Sequence, residues 1–215
     1  MLSAVFNEGT TLTMQIRNKP SFWLVLAGLM MTITIACSQG DDAARPQAVT
    51  SRIDLSAAFT GTYALTDMHG TPTTQDRFAG KPTFIYFGFT ACPDVCPAAL
   101  GVMSVMLDEL GDDAEKLQPL FIAVDPARDT PEVLRSYLGF DPRILGLTGD
   151  AAAMETAKDA FKVYASRQDL PESALGYTIN HSSLFYFVDE TGTPKYAFKD
   201  NLTPQALAAE IKRLL

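Results

Sequence analysis

Thr83-Phe84-Ile85-Tyr86-Phe87-Gly88-Phe89-Thr90-Ala91-Cys92-Pro93-Asp94-Val95-Cys96-Pro97 is the stretch that decides how the rest of the chain is read. Thr83 to Phe89 is a near-continuous run of apolar, aromatic and β-branched residues, the pattern of a strand covered on both faces. A helical pattern follows from Ala98 to Leu110, with Leu100, Met103, Leu107 and Leu110 at helical spacing. Two thiols therefore stand where a buried strand turns into a helix. Cys92 and Cys96 are four residues apart, so with Val95 onward helical the two sulfurs share one face of the first turn. The unpaired N–H groups and the dipole of that turn favour negative charge, so both thiols are expected to deprotonate more easily than free cysteine. Pro97 costs nothing there, where an N–H is unpaired in any case. Two soft thiolates at one point suit Cu(I), zinc or a reversible disulfide, and the spacing alone does not choose among these. Met103 and Met106 are read as core filler rather than as thioether ligands.

Upstream, Arg17 and Lys19 precede a charge-free, mostly apolar run of 16 residues from Ser21 to Ala36, and polar residues follow from Ser38 to Asp42. This is the layout of an export signal. The first 13 residues carry no positive charge, which points to Met14 as the start. Ala36-Cys37 is similar to the end of a bacterial lipoprotein signal, with Cys37 as the lipidated residue, although Thr34 stands where such signals usually have Leu. An uncleaved membrane anchor is the alternative, since the run is nearly long enough to span a bilayer. Either way the domain is expected to face an oxidising, extracytoplasmic space such as the periplasm. Residues 37–55 read as a polar linker. Once the leader is set aside, Cys92 and Cys96 have only each other or a ligand. A purely structural disulfide across so short a loop gains little.

The formal net charge is −8. Residues 1–36 hold two of the basic residues and one acidic one, so the remainder carries 15 basic against 24 acidic. An acidic surface argues against nucleic acid as a partner. The hydrophobic share of 47% is enough for one domain with a real core.

Gly61 to Asp67 alternates as a half-buried strand, and Met68-His69-Gly70-Thr71-Pro72 is turn chemistry, so an N-terminal hairpin is expected. His69 on that turn is read as a solvated side chain rather than a ligand. Leu120 to Val124 is a second buried strand. It leads into Asp125-Pro126-Ala127-Arg128-Asp129-Thr130-Pro131, where Thr130 as N-cap and Pro131 at N1 open a helix running to about Leu138. Asp125, Arg128 and Asp129 thus cluster at the C-terminal end of a strand, where open α/β sheets place their sites. An ion-paired turn explains them equally well. Ile144 to Leu147 is a short strand, and Met154, Ala157, Phe161 and Tyr164 give a helix. Ser182 to Val188 is an apolar strand that returns through Asp189–Gly192 to Lys195–Phe198 as a hairpin. Thr203-Pro204 opens a last helix carrying Leu207, Ile211 and Leu214. Strands alternating with helices predict an α/β domain with a mixed central sheet. His181 stands immediately before the Ser182 strand. It is one of two histidines, and with two thiolates it would complete a recurrent copper ligand set.

With these residues in view, the chain resembles the Sco (SenC) family of membrane-anchored, thioredoxin-like copper proteins, from about Gly61 to Leu215. The resemblance is carried by Phe87-Gly88-Phe89-Thr90 with Cys92-Pro93-Asp94-Val95-Cys96-Pro97, by Val124-Asp125-Pro126 with Arg128-Asp129-Thr130-Pro131, by Leu147-Thr148-Gly149, and by His181-Ser182 with its aromatic strand. Ala91 stands where many members have histidine and Ala98 where threonine is frequent, neither of them a ligand position in the family. The resemblance implies a thioredoxin-like three-layer α/β fold, with a mixed central sheet and an added N-terminal β-hairpin, over residues 56–215. It implies that Cys92, Cys96 and His181 bind copper, as Cu(I) or Cu(II). It implies a metallochaperone rather than a catalyst, delivering copper to the binuclear site on the copper-bearing subunit of a respiratory cytochrome c oxidase. Other copper carriers or thiol oxidoreductases are further expected partners. Asp125 or Asp129 is expected to orient the site from behind the ligands.

The alternative is a thiol–disulfide oxidoreductase that keeps oxidase or other extracytoplasmic cysteines reduced, with Cys92 and Cys96 as its redox disulfide. Against it, the spacing is C-x₃-C rather than the C-x-x-C of redox thioredoxins, and Asn180-His181 stands where those enzymes have a cis-proline. A peroxidase of the same fold needs a single activated cysteine with Arg and Thr beside it, and Pro93-Asp94 do not supply that pattern.

Overall fold

The computed structural model describes residues 52–215. The export signal or anchor at 1–36, the candidate lipidation site Cys37 and nearly all of the linker lie outside the described residues.

The strand expected at Thr83 to Phe89 forms as β4 (Thr83–Gly88), and all six of its residues are buried. It pairs in parallel with β5 (Gln118–Ala123) and antiparallel with β9 (Leu184–Val188), so the central sheet is mixed, as the alternation of strands and helices predicts. β6 (Leu145–Thr148) continues the sheet in parallel beyond β5. The N-terminal hairpin of β2 (Ala64–Asp67) and β3 (Pro72–Thr74) closes that side by antiparallel pairing of β2 with β6. On the other side β9 pairs with β10 (Pro194–Lys199), and β10 with β1 (Arg52–Asp54). β1 is a correction: three residues read as linker form an edge strand, too short to carry a pattern of its own.

Helices cover both faces. Helix α1 (Val95–Leu110) and helix α4 (Pro204–Lys212) pack together on the face to which Phe84, Tyr86 and Gly88 point. A Cβ on Gly88 would lie 3.0 Å from Cys96 Sγ of α1. Helix α2 (Pro131–Tyr137) starts where expected: Thr130 Oγ1 accepts the Val133 N–H, and Pro131 occupies the first turn. Helix α3 (Ala151–Phe161) lies on the opposite face, where Phe161 packs against Phe87 at 5.3 Å and Tyr186 at 5.5 Å between ring centres. Met103 and Met106 are fully buried, as core filler should be. Tyr164, expected on α3, lies past the helix end and is 64% exposed. Lys162 in a left-handed conformation (φ 52°) ends the helix before it.

The larger correction concerns residues 165–181. The long strand read from Ser182 is shorter, starting at Leu184, and His181 does not stand immediately before it. His181 ends a separate strand. β7 (Ala165–Leu170) and β8 (Gly176–His181) form a two-stranded antiparallel sheet outside the main one, with His181 opposite Ala165. Neither strand buries a residue fully. Ala-Ser-Arg-Gln-Asp-Leu in β7 carries no apolar alternation to announce it; Tyr177 and Ile179 of β8 do alternate with Thr178 and Asn180, a signal the sequence reading passed over.

Candidate metal centre

The dithiol site is built on the loop that leaves β4. Phe89 is buried, and the carboxylate of Asp129 holds the next residue: it accepts the Thr90 N–H at 3.2–3.3 Å and the Thr90 hydroxyl at 2.5 Å. Asp94 occupies the N-cap position of α1 but makes no capping bond with its side chain. The Cys92 sulfur instead accepts the Cys96 N–H at 3.4 Å, one of the donors the first turn leaves without a helical partner. Both cysteines are free thiols.

Cys96 is fully buried, at 0% exposure, in a slot that exists because residue 88 has no side chain. A Cβ at that position would also meet Phe121 at 2.8 Å and Tyr86 at 3.0 Å. Burial pushes the Cys96 thiol up to about 12. This overturns the expectation that both thiols would be acidified: the helix start favours a thiolate, but the loss of water around Cys96 outweighs it.

His181 lies 85 residues away in the chain, yet its Nε2 is 3.4 Å from Cys96 Sγ. Its Nδ1 is 2.9 Å from the Ser182 carbonyl oxygen. A carbonyl can only accept, so Nδ1 carries the proton and Nε2 turns its lone pair toward the sulfur. Burial lowers the imidazole's pKa and so favours the neutral ring. Tyr86 and Phe89 present to the ring nearly edge-on, with centres 6.2 and 5.7 Å away. Tyr86 in turn donates to Ser183 Oγ (2.8 Å), whose own hydroxyl donates to Asp200 (2.5 Å). Sequence reasoning missed Tyr86, Ser183 and Asp200 as neighbours of the site; nothing in their spacing brings strands β4 and β9 and the end of β10 to mind together.

The two expected supporting carboxylates act at different places. Asp129 steadies the loop ahead of Cys92, and burial raises its carboxyl to about 6. Asp125 takes the Arg128 Nε at 2.5 Å and the Tyr177 hydroxyl at 2.9 Å, so it grips β8 rather than a thiol. The ion-paired turn is present, and the same two carboxylates also bond the loop ahead of Cys92 and the strand that carries His181. His69 is exposed on the β2–β3 turn, on a groove of about 780 Å³ that it shares with Arg77, Lys81 and Arg143 at the far end of β4 and β5. That groove is lined by no thiol and by neither Cys92, Cys96 nor His181. Among the described residues no three His, Cys, Asp or Glu side chains stand gathered at metal-holding spacing. Cys96 and His181 touch, and Cys92 adjoins Cys96 at the start of α1. Two thiols and a neutral imidazole are nonetheless the donor chemistry that suits a soft, thiophilic ion.

Comparison with known proteins places the chain in a family. The family model described as SCO1/SenC matches residues 52–215. Protein SCO2 of Saccharomyces cerevisiae is 43% identical over 139 residues, 64% of this chain and 46% of that protein, so the match spans about half of the relative's length. The SCO2-like protein of Rickettsia felis is 35% identical over 71% of this chain and 75% of its own. The solved structure of ScoI from Bradyrhizobium japonicum with copper bound is 40% identical, with a TM-score of 0.68 over 74% of this chain and 100% of that one. Yeast Sco1 with copper bound is 37% identical, with a TM-score of 0.67 over 73% and 87%. The fold is thioredoxin-like, as the motif resemblance implied.

Proposed function

The chain belongs to the SCO1/SenC family, and on that premise we propose that it binds one copper ion through Cys92, Cys96 and His181 and passes it to the binuclear copper site of a respiratory cytochrome c oxidase. The single observation that carries this reading is the 3.4 Å approach of His181 Nε2 to Cys96 Sγ, with Nδ1 committed to the Ser182 carbonyl. A ring nitrogen with a free lone pair beside a thiol, its tautomer set by a backbone carbonyl, is how a histidine is prepared as a metal ligand. The copper held by two similar structures supports the choice of metal.

Each donor then has its own part. Copper is the cargo: it displaces the proton that burial otherwise keeps on Cys96, so uptake releases protons and tightens as pH rises. Cys92, less buried than Cys96, is the thiol that meets an incoming or departing ion first. His181 supplies a nitrogen that suits Cu(II) better than a thiolate pair alone. A three-donor site that leaves room for a partner's thiolates allows the ligands to be exchanged one at a time. The redox alternative would have to lead with Cys92, since Cys96 is buried and held protonated and would serve only as the resolving thiol. Residues 1–36, with Cys37, are proposed to hold the domain at a membrane on its extracytoplasmic side. Among the described residues no helix is long and apolar enough to cross a membrane.

Copper K-edge absorption on the wild type and on His181→Ala tests the reading. Two sulfurs and one nitrogen in the wild type, with the nitrogen gone in the variant, is the expected result. Ligand counts unchanged in His181→Ala, or oxidase assembly that proceeds normally with Cys92→Ser and Cys96→Ser, would overturn it.

A further inference from the structure

The arm that carries His181 is held unlike the rest of the domain. β7 and β8 stand outside the main sheet, and none of their residues is fully buried. A lone two-stranded hairpin is marginal in water, so its position depends on specific contacts. At its base the Ser182 N–H donates to the Tyr164 carbonyl at 2.9 Å, and the Tyr164 N–H to Ser182 Oγ at 3.1 Å. The other grip is on Tyr177. Its hydroxyl donates to Asp125 Oδ1 at 2.9 Å. The guanidinium carbons of Arg128 and Arg167 lie 3.7 and 3.8 Å from its ring centre. Two cations that close cannot share a face, so the ring is clasped on both sides. Arg128 also donates through Nη1 to the carbonyl oxygens of Tyr177 (3.2 Å) and Leu175 (3.4 Å), while Asp169 holds Arg167. The Nη2 of Arg128 is buried with no partner among the described residues, so that guanidinium is held by Asp125, the ring and the two carbonyls without a full set of bonds. Ala165 and Ile179 pack against the core, but a cavity of about 240 Å³, lined by Lys158, Arg167, Tyr177 and Ile179, lies between the hairpin and α3, so this apolar support is partial and the grip on Tyr177 adds to it. Tyr177 and His181 are an even number of residues apart on one strand and share a face.

We propose that Tyr177, clasped by Arg128 and Arg167 and tied to Asp125, is the positioning residue that sets His181 against the thiols, and that releasing it withdraws the nitrogen donor while the two sulfurs stay. The proposal rests on the copper-binding reading for its consequence, but not for its geometry. The full-length chain is compared as wild type, Tyr177→Ala, Tyr177→Phe, Arg167→Gln and the hairpin-tip control Glu172→Ala. In the metal-free protein, amide hydrogen exchange across residues 176–181 and the ring ¹⁵N signals of His181 are read. With Cu(II) added, nitrogen hyperfine coupling and affinity are read, and Cu(I) affinity alongside. Tyr177→Ala is expected to speed exchange on β8, shift the His181 ring signals, remove the nitrogen coupling and weaken Cu(II) about tenfold or more, as loss of a residue that orients a ligand does. Cu(I) binding stays near wild type. Tyr177→Phe, which keeps the clasped ring, and Arg167→Gln, which keeps the Asp125 bond, fall between. Unchanged exchange and ring signals in Tyr177→Ala, or equal loss in Glu172→Ala, overturn the proposal. Should Tyr177→Ala fail to fold, Tyr177→Phe and Arg167→Gln decide on the same signals. A wild type that shows no nitrogen coupling sinks the copper reading instead, and the metal-free arm still judges the latch.

Discussion

β4 with the start of α1, and the β7–β8 hairpin, each bring one half of the same site, and they are built by opposite means. Every residue of β4 is buried, and Cys96 fits into space vacated by Gly88. The hairpin buries no residue fully and is held by a carboxylate, two guanidinium groups, a few backbone bonds and the partial packing of Ala165 and Ile179 on the core. One donor is fixed by the core and the other by a surface grip. If the site passes on an ion as proposed, that asymmetry would serve it: the sulfur scaffold need not move, and the imidazole is attached to the less buried element.

The contrast breaks if substitutions in the two regions cost the same. Phe87→Ala, in the centre of β4, is expected to lose about 3–5 kcal/mol in denaturant unfolding, the range for a large buried aromatic. Gly88→Ala comes next: its methyl would press on Phe121, Cys96 and Tyr86, all fully buried, at a cost of about 1–3 kcal/mol together with impaired copper uptake. Ile179→Ala, on β8, is expected to cost about 1 kcal/mol or less in the same assay. A loss on β8 matching that of Phe87→Ala would show the hairpin to be part of the core.

Proton linkage sharpens the same comparison. Burial holds Asp129 up at about 6 against an ordinary 3.8. Its contribution to stability is therefore complete below pH 3.8 and is lost as pH rises through about 6. For Asp67 and Asp141 burial acts in the same raising direction, but bonds from Arg77 and from Arg143 with Ser104 outweigh it and hold both carboxyls low. Their contribution is present above the ordinary carboxylate range and is lost as pH falls through their lowered values. Asp129→Asn should flatten the stability profile between pH 3.8 and about 6, and Asp141→Asn the acid limb below it, in denaturant melts across pH. Flattening of the same limb by both would mean that the Thr90 loop and the α1 flank do not titrate separately. The smallest effect is expected at His69→Ala. The residue is exposed on the far groove, so copper content by metal analysis should not change, and stability should move by no more than about 0.5 kcal/mol.

How much was legible can be judged residue by residue. The strand at Thr83, the helix after Cys96, the Thr130-Pro131 start of α2, the β2–β3 hairpin and the return of β9 into β10 all announce themselves locally, through apolar runs, caps and turn residues. β7 does not, because its polar residues show no apolar period, and β8 offers only the short alternation of Tyr177 and Ile179; their register is set by pairing with each other and by Arg128 reaching Tyr177 from 49 residues away. Asp125 was picked out for the right reason, as a charge at a strand end, but the sequence offered no sign that its partner would be a tyrosine hydroxyl on the histidine's own strand.

By itself the order of residues settled that two thiols stand at a strand-to-helix turn in a mixed α/β domain, since strand, helix and turn preferences act between near neighbours in the chain. Only the tertiary structure decided that Cys96 is sealed from water, with its thiol raised instead of lowered, and that an imidazole 85 residues distant turns its lone pair toward it. Desolvation and proximity depend on which groups surround an atom in space, and no local pattern encodes neighbours that folding brings from the other end of the domain.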